Sequence, residues 1–340
     1  MNKFNFSGSY YDIGYQKGLV HKKNGLSDLQ LPILFDILKK QKIIYKKFYP
    51  NFLEELEGIA ESTKSELEQI EYLFLVKLNM KWLEKGCTIF SLVNKNGVLI
   101  GRNYDWLPPT ENVASYYYVN IEGKHNYVAF SDMDYPLVGK LDKRFLVFSS
   151  EDAINEHGLF VGLTFAYHLN RGFGISNTQA IRWIAENCKN TKEAVKFLKK
   201  VKISMPKNLF IADSSGNAVV FEHSSAKKKI ISPENGCLIK TNHFLNKELS
   251  KEEAAFNWSK HPQGSFYPNS MIRYRAVKKQ LERKMDTLAL SQVINVLNNR
   301  EVYANRANRK TIWQLALNLK DKNYWLYAGG RKIRIDIPHT

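Results

Sequence analysis

Cysteine is scarce: Cys87, Cys188 and Cys237 are the three in a chain of 340 residues. An odd count at this length argues against a disulfide framework and for a reducing compartment. No CxxC pair or Cys/His cluster has zinc-ligand spacing, so neither a metal nor a cofactor is expected. Long apolar runs are missing too. No stretch approaches the roughly 18 consecutive apolar residues of a membrane span, and Met1-Asn2-Lys3-Phe4-Asn5-Phe6-Ser7-Gly8 lacks the apolar run of a signal peptide. A cytoplasmic protein with no membrane partner is the expectation.

Carboxylates are also in short supply, 33 Asp and Glu against 50 Lys and Arg, for a formal net charge of +17. Such a field concentrates anionic partners. The lysines, however, are spread along the chain, as in Lys39-Lys40, Lys46-Lys47, Lys199-Lys200, Lys227-Lys228-Lys229 and Lys278-Lys279, with carboxylates between them. With no nucleic-acid-binding motif, this reads as a solvated basic surface rather than a nucleic-acid partner. Repeats and low-complexity linkers are absent. A hydrophobic share of 44% and a charged share of 24% are those of an ordinary globular chain.

The pattern from Tyr10 to Leu83 is helical. A short piece at Tyr11–Gly18 is followed by a longer helix from Ile33 to Phe48 that Pro50 ends, and Phe52, Leu56 and Ile59 recur at i, i+4, i+7 as one face of a third. Ser65 and Glu68 read as a capping box for a fourth helix running to Leu83. At Cys87 the period changes to extended: Thr88–Val93, a turn at Asn94-Lys95-Asn96-Gly97, then Val98–Tyr104. Further strands are expected at Ser115–Ile121, Tyr127–Phe130, Phe145–Phe148, Leu159–Phe165, Asn208–Ala212, Ala218–Glu222, Lys229–Ile231 and Cys237–Thr241. Helices are expected near Thr178–Asn187, Thr191–Lys200, Ser270–Lys284 and Leu288–Leu297, and β-rich segments at Ile312–Leu317, Tyr324–Tyr327 and Ile333–Ile337. Blocks of strands and helices in this order suggest a layered α+β fold rather than alternating βαβ units.

A cysteine sulfur is a strong nucleophile only as the thiolate, so Cys87 needs a base or a cationic neighbourhood. Were Cys87 the first residue of a mature chain, its α-amino group, with a pKa of about 7.7–8.0, would be that base. The hairpin after Cys87 returns Arg102 and Asp105 beside its strand, a cation toward the thiolate and a carboxylate toward the amine. Alone, each has a bland alternative: a buried apolar Cys, and an exposed Arg–Asp pair at a turn.

Cys87-Thr88, a strand, a turn and Gly101-Arg102-Asn103-Tyr104-Asp105 resemble the choloylglycine hydrolase and penicillin V acylase group of N-terminal nucleophile (Ntn) hydrolases. The helical segment ahead of them, with Gly8-Ser9-Tyr10-Tyr11-Asp12-Ile13-Gly14-Tyr15-Gln16-Lys17-Gly18, is closer to the self-processing acyl-coenzyme A:6-aminopenicillanic acid acyltransferase branch. The resemblance implies a four-layer αββα fold of stacked antiparallel sheets over residues 87–340. It also implies a helical pre-segment, 1–86, cut between Gly86 and Cys87 and kept as a partner.

It further implies Cys87 as nucleophile, Arg102 stabilising the thiolate and Asp105 orienting the amine. Asn155-Glu156-His157-Gly158-Leu159-Phe160-Val161-Gly162-Leu163-Thr164 is similar to the segment supplying a main-chain oxyanion donor, put at Thr164 with Tyr167 as a competing alignment. Thr241-Asn242-His243 resembles the element whose Asn donates its side-chain amide, and Ser270-Met271-Ile272-Arg273 the element carrying a site arginine. That arginine is Arg273, with Arg275 the alternative; helical period puts them on different faces. His223, His243 and His261 fit no zinc spacing and read as hydrogen-bonded histidines.

The implied activity is a self-processing amidase that hydrolyses a linear C–N amide of an N-acylated small molecule or peptide. The alternatives are an acyltransferase passing the acyl group to an amine, and an unprocessed, noncatalytic binding protein using its basic surface. Bile salt conjugates, penicillins, N-acyl amines and small peptides all fit as substrates, and Trp106, Phe165 and Tyr167 are candidate pocket walls. Homo-oligomerisation is left open.

Overall fold

The alternation after Cys87 becomes a long hairpin, and that hairpin is the centre of one of two stacked sheets. The computed structural model describes residues 1–79, 86–132, 148–166, 172–254 and 266–338. Among these, one sheet has eight strands in the order β1 (Asn2–Gly8), β4 (Ser115–Ile121), β5 (Tyr127–Ser131), β6 (Asp152–Asn155), β7 (Phe160–Phe165), β8 (Lys207–Ala212), β9 (Ala218–His223) and β10 (Lys228–Ile231). The second runs β11 (Cys237–Lys240), β2 (Gly86–Asn94), β3 (Gly97–Trp106), β13 (Arg309–Asn318), β14 (Asn323–Ala328), β15 (Arg331–Ile335), with β12 (Asn305–Arg306) beside β13. All the pairings are antiparallel except β1 with β4.

Side-chain alternation sorts β2 and β3 between two cores. Cys87, Ile89, Ile100, Tyr104 and Trp106 pack between the sheets with Phe130, Ile154, Phe160, Phe210 and Trp313. Phe90, Leu92 and Leu99 point the other way, against Val277 and Leu281 of α8 (Phe266–Lys284) and Val293 and Val296 of α9 (Leu290–Leu297). Gly101 allows this packing: a Cβ there would stand 2.2 Å from the Phe90 ring.

The outer face of the eight-stranded sheet is covered by α1 (Tyr10–Lys23), α2 (Phe35–Phe48), α3 (Asn51–Thr63) and α4 (Leu67–Glu71) together with α5 (Asn177–Asn187) and α6 (Thr191–Lys200). A last helix, α7 (Lys247–Ala254), follows β11. The layers are therefore helix, sheet, sheet, helix, the α+β stack implied by the resemblance. The segment before Gly86 shares its core with α5 and α6 and lends β1 to the sheet edge. No helix among the described residues is long and apolar enough to cross a membrane.

Several elements differ from the sequence reading. β1, β6 and α7 were not expected, because each is short and its burial comes from distant partners rather than from its own period. The Ser65–Glu68 box is not made: the chain leaves α3 through Lys64 in the left-handed conformation (φ 57°), Glu66 is the N-cap of α4, and Ser65 Oγ accepts the Leu29 amide at 3.4 Å. Beyond α4 the helix continues as a π-helical turn, Tyr72–Lys77. The expected end of that helix at Leu83, and most of the strand at Phe145–Phe148, lie outside the described residues.

Candidate active site

The peptide between Gly86 and Cys87 is continuous within β2, and the β2–β3 register decides what surrounds it. Gly86 faces Asp105 and Cys87 faces Tyr104, while Arg102 sits opposite Ile89. Directly opposed residues share a face, so Cys87 and Arg102 both point between the sheets, and Thr88, Asn103 and Asp105 point toward the α8–α9 layer. Asn103 Nδ2 donates to the Leu297 carbonyl of α9 at 2.9 Å, in keeping with that sorting.

On the inter-sheet side, the Arg102 guanidinium is fully buried and within hydrogen-bonding reach of the Cys87 side chain. Its Nε bonds Asp152 on β6 at 3.0 Å, Nη1 the Asn103 carbonyl at 2.9 Å and Nη2 the Leu163 carbonyl at 3.1 Å. Burial opposes its charge, but Asp152 and then Cys87 outweigh burial and hold Arg102 protonated above its usual range. Trp313 Nε1 donates at 3.0 Å to Asp152 Oδ2, an oxygen that Arg102 Nε also reaches, and its ring stacks on Tyr104, ring centroids 3.7 Å apart. Removing one member of a buried ion pair costs about 3–5 kcal/mol, so the cation beside the thiol is held firmly.

On the other side, Arg273 reaches in from α8. Its Nη1 donates to the Cys87 carbonyl and, at 3.0 Å, to Thr88 Oγ1; Nη2 donates to Asn242 Oδ1 at 2.8 Å; Nε is held by Asn269 at 2.9 Å. Burial, partly countered by Asp105 and Cys87, pulls Arg273 down to about 10, which leaves it cationic at neutral pH. Arg275 is exposed. Asn242 Oδ1 also accepts the Cys87 main-chain N–H at 2.6 Å, and Asn242 Nδ2 donates to the Phe165 carbonyl at 3.1 Å.

Asp105 receives Thr311 Oγ1 at 2.7 Å and lies against the junction itself: a Cβ on Gly86 would come within 2.9 Å of Asp105 Cβ and 3.0 Å of Arg309 Nη1. Glycine is thus the residue that this register admits before Cys87. Asn242 is positioned by a small polar group at the start of α8. Ser270 Oγ accepts the Asn242 amide at 2.7 Å and bonds Thr241 Oγ1 and His243 Nδ1 at 3.0 and 2.8 Å. Glu222 then receives the amides of Leu245 and Asn246 at 2.6 and 2.9 Å.

Cys87, Arg102, Asp105, Asn242 and Arg273 are therefore gathered around one peptide bond. Thr164 lies in β7 opposite Asn208, whose Nδ2 donates to its hydroxyl at 3.1 Å. The Leu163 amide bonds Glu151 O, and the Leu163 and Phe165 carbonyls accept from Arg102 and Asn242. Strand alternation consequently turns the Phe165 amide toward the Cys87 side and that of Thr164 toward β8. Tyr167 and His261 lie outside the described residues. Trp106 and Phe165 are buried.

His243 and His223 are core histidines, both pushed down to about 3, His243 by burial and then Lys240, His223 by burial and then Lys228. Asp152 and Trp313 were missed by sequence reasoning, and Ser270 was named only as the start of the Ser270-to-Arg273 element, without its part in holding Asn242. A faint signal existed for Asp152 alone, a carboxylate on the apolar face of the alternating Asp152-Ala153-Ile154-Asn155. Beside the site, Leu163 also walls a cavity of about 90 Å³ whose lining includes Lys17, His21 and Glu55 of the pre-segment and Arg182 and Lys207 beyond it.

Comparison with known proteins agrees with this architecture. The penicillin V acylase from Agrobacterium tumefaciens superposes with a TM-score of 0.53 at 15% identity, over 74% of this chain and 86% of that one. A variant of the conjugated bile acid hydrolase from Clostridium perfringens gives 0.51 at 14% identity, over 74% and 92%. These likenesses establish the Ntn-hydrolase fold. No curated protein sequence gives a significant match. The family model described as acyl-coenzyme A:6-aminopenicillanic acid acyl-transferase matches residues 92–332, well over half of the chain, from within β2 to within β15. The chain belongs to the acyl-coenzyme A:6-aminopenicillanic acid acyl-transferase family.

Proposed function

We propose that the chain is the precursor of a self-processing cysteine amidase, in which Cys87 is first the agent of its own release and then the nucleophile toward an N-acylated small molecule or peptide. Its family makes it an enzyme acting on amides; the finer reading rests on one observation, the convergence of Arg102, Asp105, Asn242 and Arg273 on the Gly86–Cys87 peptide. In processing, Cys87 Sγ attacks the Gly86 carbonyl carbon, the C–N bond breaks, and the acyl group of Gly86 moves to sulfur as a thioester. The departing nitrogen takes up a proton and becomes the α-amine of Cys87. Water then hydrolyses the thioester, leaving residues 1–86 as a separate, still associated chain.

In turnover, the α-amine accepts the thiol proton and returns it to the leaving amine, a role suited to a group with a pKa of about 7.7–8.0. Arg102 steadies the thiolate. Asp105 and Asn242 Oδ1 are already at the Gly86–Cys87 junction, where the amine would be held. The oxyanion is received by the Phe165 main-chain amide, since that of Thr164 is turned toward β8, and by the Asn242 side-chain amide, which must exchange its bond to the Phe165 carbonyl for one to substrate. Preorganised donors of this kind contribute about 2.7–4 kcal/mol each.

Intact-mass measurement and a denaturing gel test the proposal. Wild type should separate into two pieces between Gly86 and Cys87, and Cys87→Ala should remain whole and inactive. An intact, active wild-type chain overturns it. Because the family is described by acyl transfer, a second reading is that an amine rather than water takes the acyl group; product analysis with and without an acceptor amine separates the two.

A further inference from the structure

A second cluster of reactive donors lies at the far end of β7 from Phe165. The β4–β5 connection carries His125 and the β6–β7 turn carries Glu156 and His157. Among the described residues these three are the group whose ligand atoms converge closely enough to share a metal ion. His157 Nε2 stands 3.1 Å from His125 Nδ1, and Glu156 Oε1 stands 3.5 Å from His125 Nδ1 and 3.8 Å from His157 Nε2. Four donors at about 2.0–2.1 Å from a tetrahedral ion are separated by about 3.3–3.4 Å. Movements of a few tenths of an ångström would bring all three into that geometry.

We propose that His125, Glu156 and His157 form a binding site for one divalent transition-metal ion of the zinc class, with solvent as the fourth ligand. Two imidazoles and one carboxylate suit zinc, cobalt or nickel, and disfavour magnesium and calcium, which take oxygen donors. The rings meet at 86°, edge to face, so their nitrogens converge rather than stack. Glu156 is buried while both imidazoles are half-buried, which leaves an open side for an ion and a water.

The backbone holds the donors in place without the ion. His125 N–H donates to Glu186 O at 3.1 Å, Glu156 N–H to Asn126 O at 2.9 Å, and His157 N–H to Asn155 Oδ1 at 3.1 Å, while Ser214 Oγ donates to His157 O at 3.1 Å. The competing explanation is a plain imidazole–imidazole hydrogen bond, which needs a proton between the two nitrogens and no metal.

β7 alone spans about 17 Å between Phe160 and Phe165 at roughly 3.3 Å per residue, and His157 lies beyond its Phe160 end. The ion would thus clasp two turns and take no part in the chemistry of Cys87. Full-length protein stripped with a chelator should take up one equivalent of Co²⁺ with the visible d–d bands of a four-coordinate ion, displaced by Zn²⁺. His157→Gln and His125→Ala should each weaken uptake by at least about tenfold, while self-cleavage is retained and reports that the variants fold. Absence of Co²⁺ and Zn²⁺ uptake by wild type overturns the proposal. Undiminished uptake by the His125→Ala/His157→Gln double variant, which would put the ion on other ligands, also overturns it.

Discussion

Two regions of this molecule bury arginine beside carboxylate, and they use the pair for different ends. Near Cys87, Arg102 is shared between Asp152 and the thiol, and Arg273 is spent on main-chain and side-chain oxygens around the junction. Under the pre-segment, Arg182 of α5 is paired with Glu55 and Glu186, Lys17 bonds Glu55 at 2.9 Å, and Tyr10 and Tyr49 donate to Glu186 at 2.8 and 2.5 Å. The second network has its cations matched to carboxylates and joins α1 and α3 to α5. In the first, cationic donors converge on the Cys87 thiol and carbonyl, the arrangement that the proposed function requires for developing negative charge. One network fastens the pre-segment; the other faces the atoms proposed to react.

The largest expected effect is on the fastening side. Glu55→Gln leaves Lys17 and Arg182 short of a carboxylate and should lower stability by about 3–5 kcal/mol. Urea unfolding should report it, together with loss of residues 1–86 from the processed enzyme on gel filtration. If the variant matches wild type, the network is not what holds the pre-segment. Around Cys87, Asn242→Ala should slow turnover by about 10²–10³, or 2.7–4 kcal/mol, with a smaller loss of stability of about 1–3 kcal/mol because the Cys87 amide, Arg273 Nη2 and the Phe165 carbonyl lose a buried partner. Equal losses in rate and stability would erase the contrast.

The pH dependence of stability sharpens it further. Burial works to raise the Glu55 carboxyl, but Arg182 and then Lys17 outweigh it and hold the group down to about 2, against 4.5 in the unfolded chain. A depressed native pKa means that the stabilisation is complete above pH 4.5 and is lost as pH falls toward 2. From the shift, its size is roughly 3 kcal/mol. Thermal midpoints between pH 5 and 2 should fall more steeply in wild type than in Glu55→Gln, and parallel curves would remove Glu55 from the account. The smallest effect is expected of Gly86→Ala. The new Cβ crowds Asp105 and Arg309 and should cost about 1–3 kcal/mol, read as slower self-cleavage by intact mass with the acid transition unmoved.

The site residues that were legible in the sequence share a property: each sits in a short motif whose chemistry is local. The hairpin placed Arg102 and Asp105 beside Cys87 by spacing and residue type, while Thr241-Asn242 and Ser270 through Arg273 were legible only through their resemblance to family motifs; these elements meet around one peptide. Asp152, Trp313 and the hydrogen bonds by which Ser270 ties Thr241 and His243 to Asn242 were not legible. Each acts by holding a site side chain across a gap that only sheet stacking closes, as when Asp152 on β6 meets Arg102 on β3. The His125–Glu156–His157 cluster escaped for the same reason, since two turns must be brought together before the imidazoles can meet.

By itself, the sequence determined the change from helical to extended period at Cys87, the β2–β3 hairpin with its turn at Gly97, and hence the return of Arg102 and Asp105 beside Cys87. These follow from alternation and turn chemistry, which act over a few residues. Tertiary structure alone decided which face each side chain serves: Arg102 toward the thiol and Asp152, Asp105 toward Gly86, Arg273 onto the Cys87 carbonyl. It also decided that the helices before Gly86 would be built into the same core as α5 and α6. The physical reason is that a buried charge must find its partners wherever the layers put them, and the layers are set by the burial of whole faces rather than by any one residue.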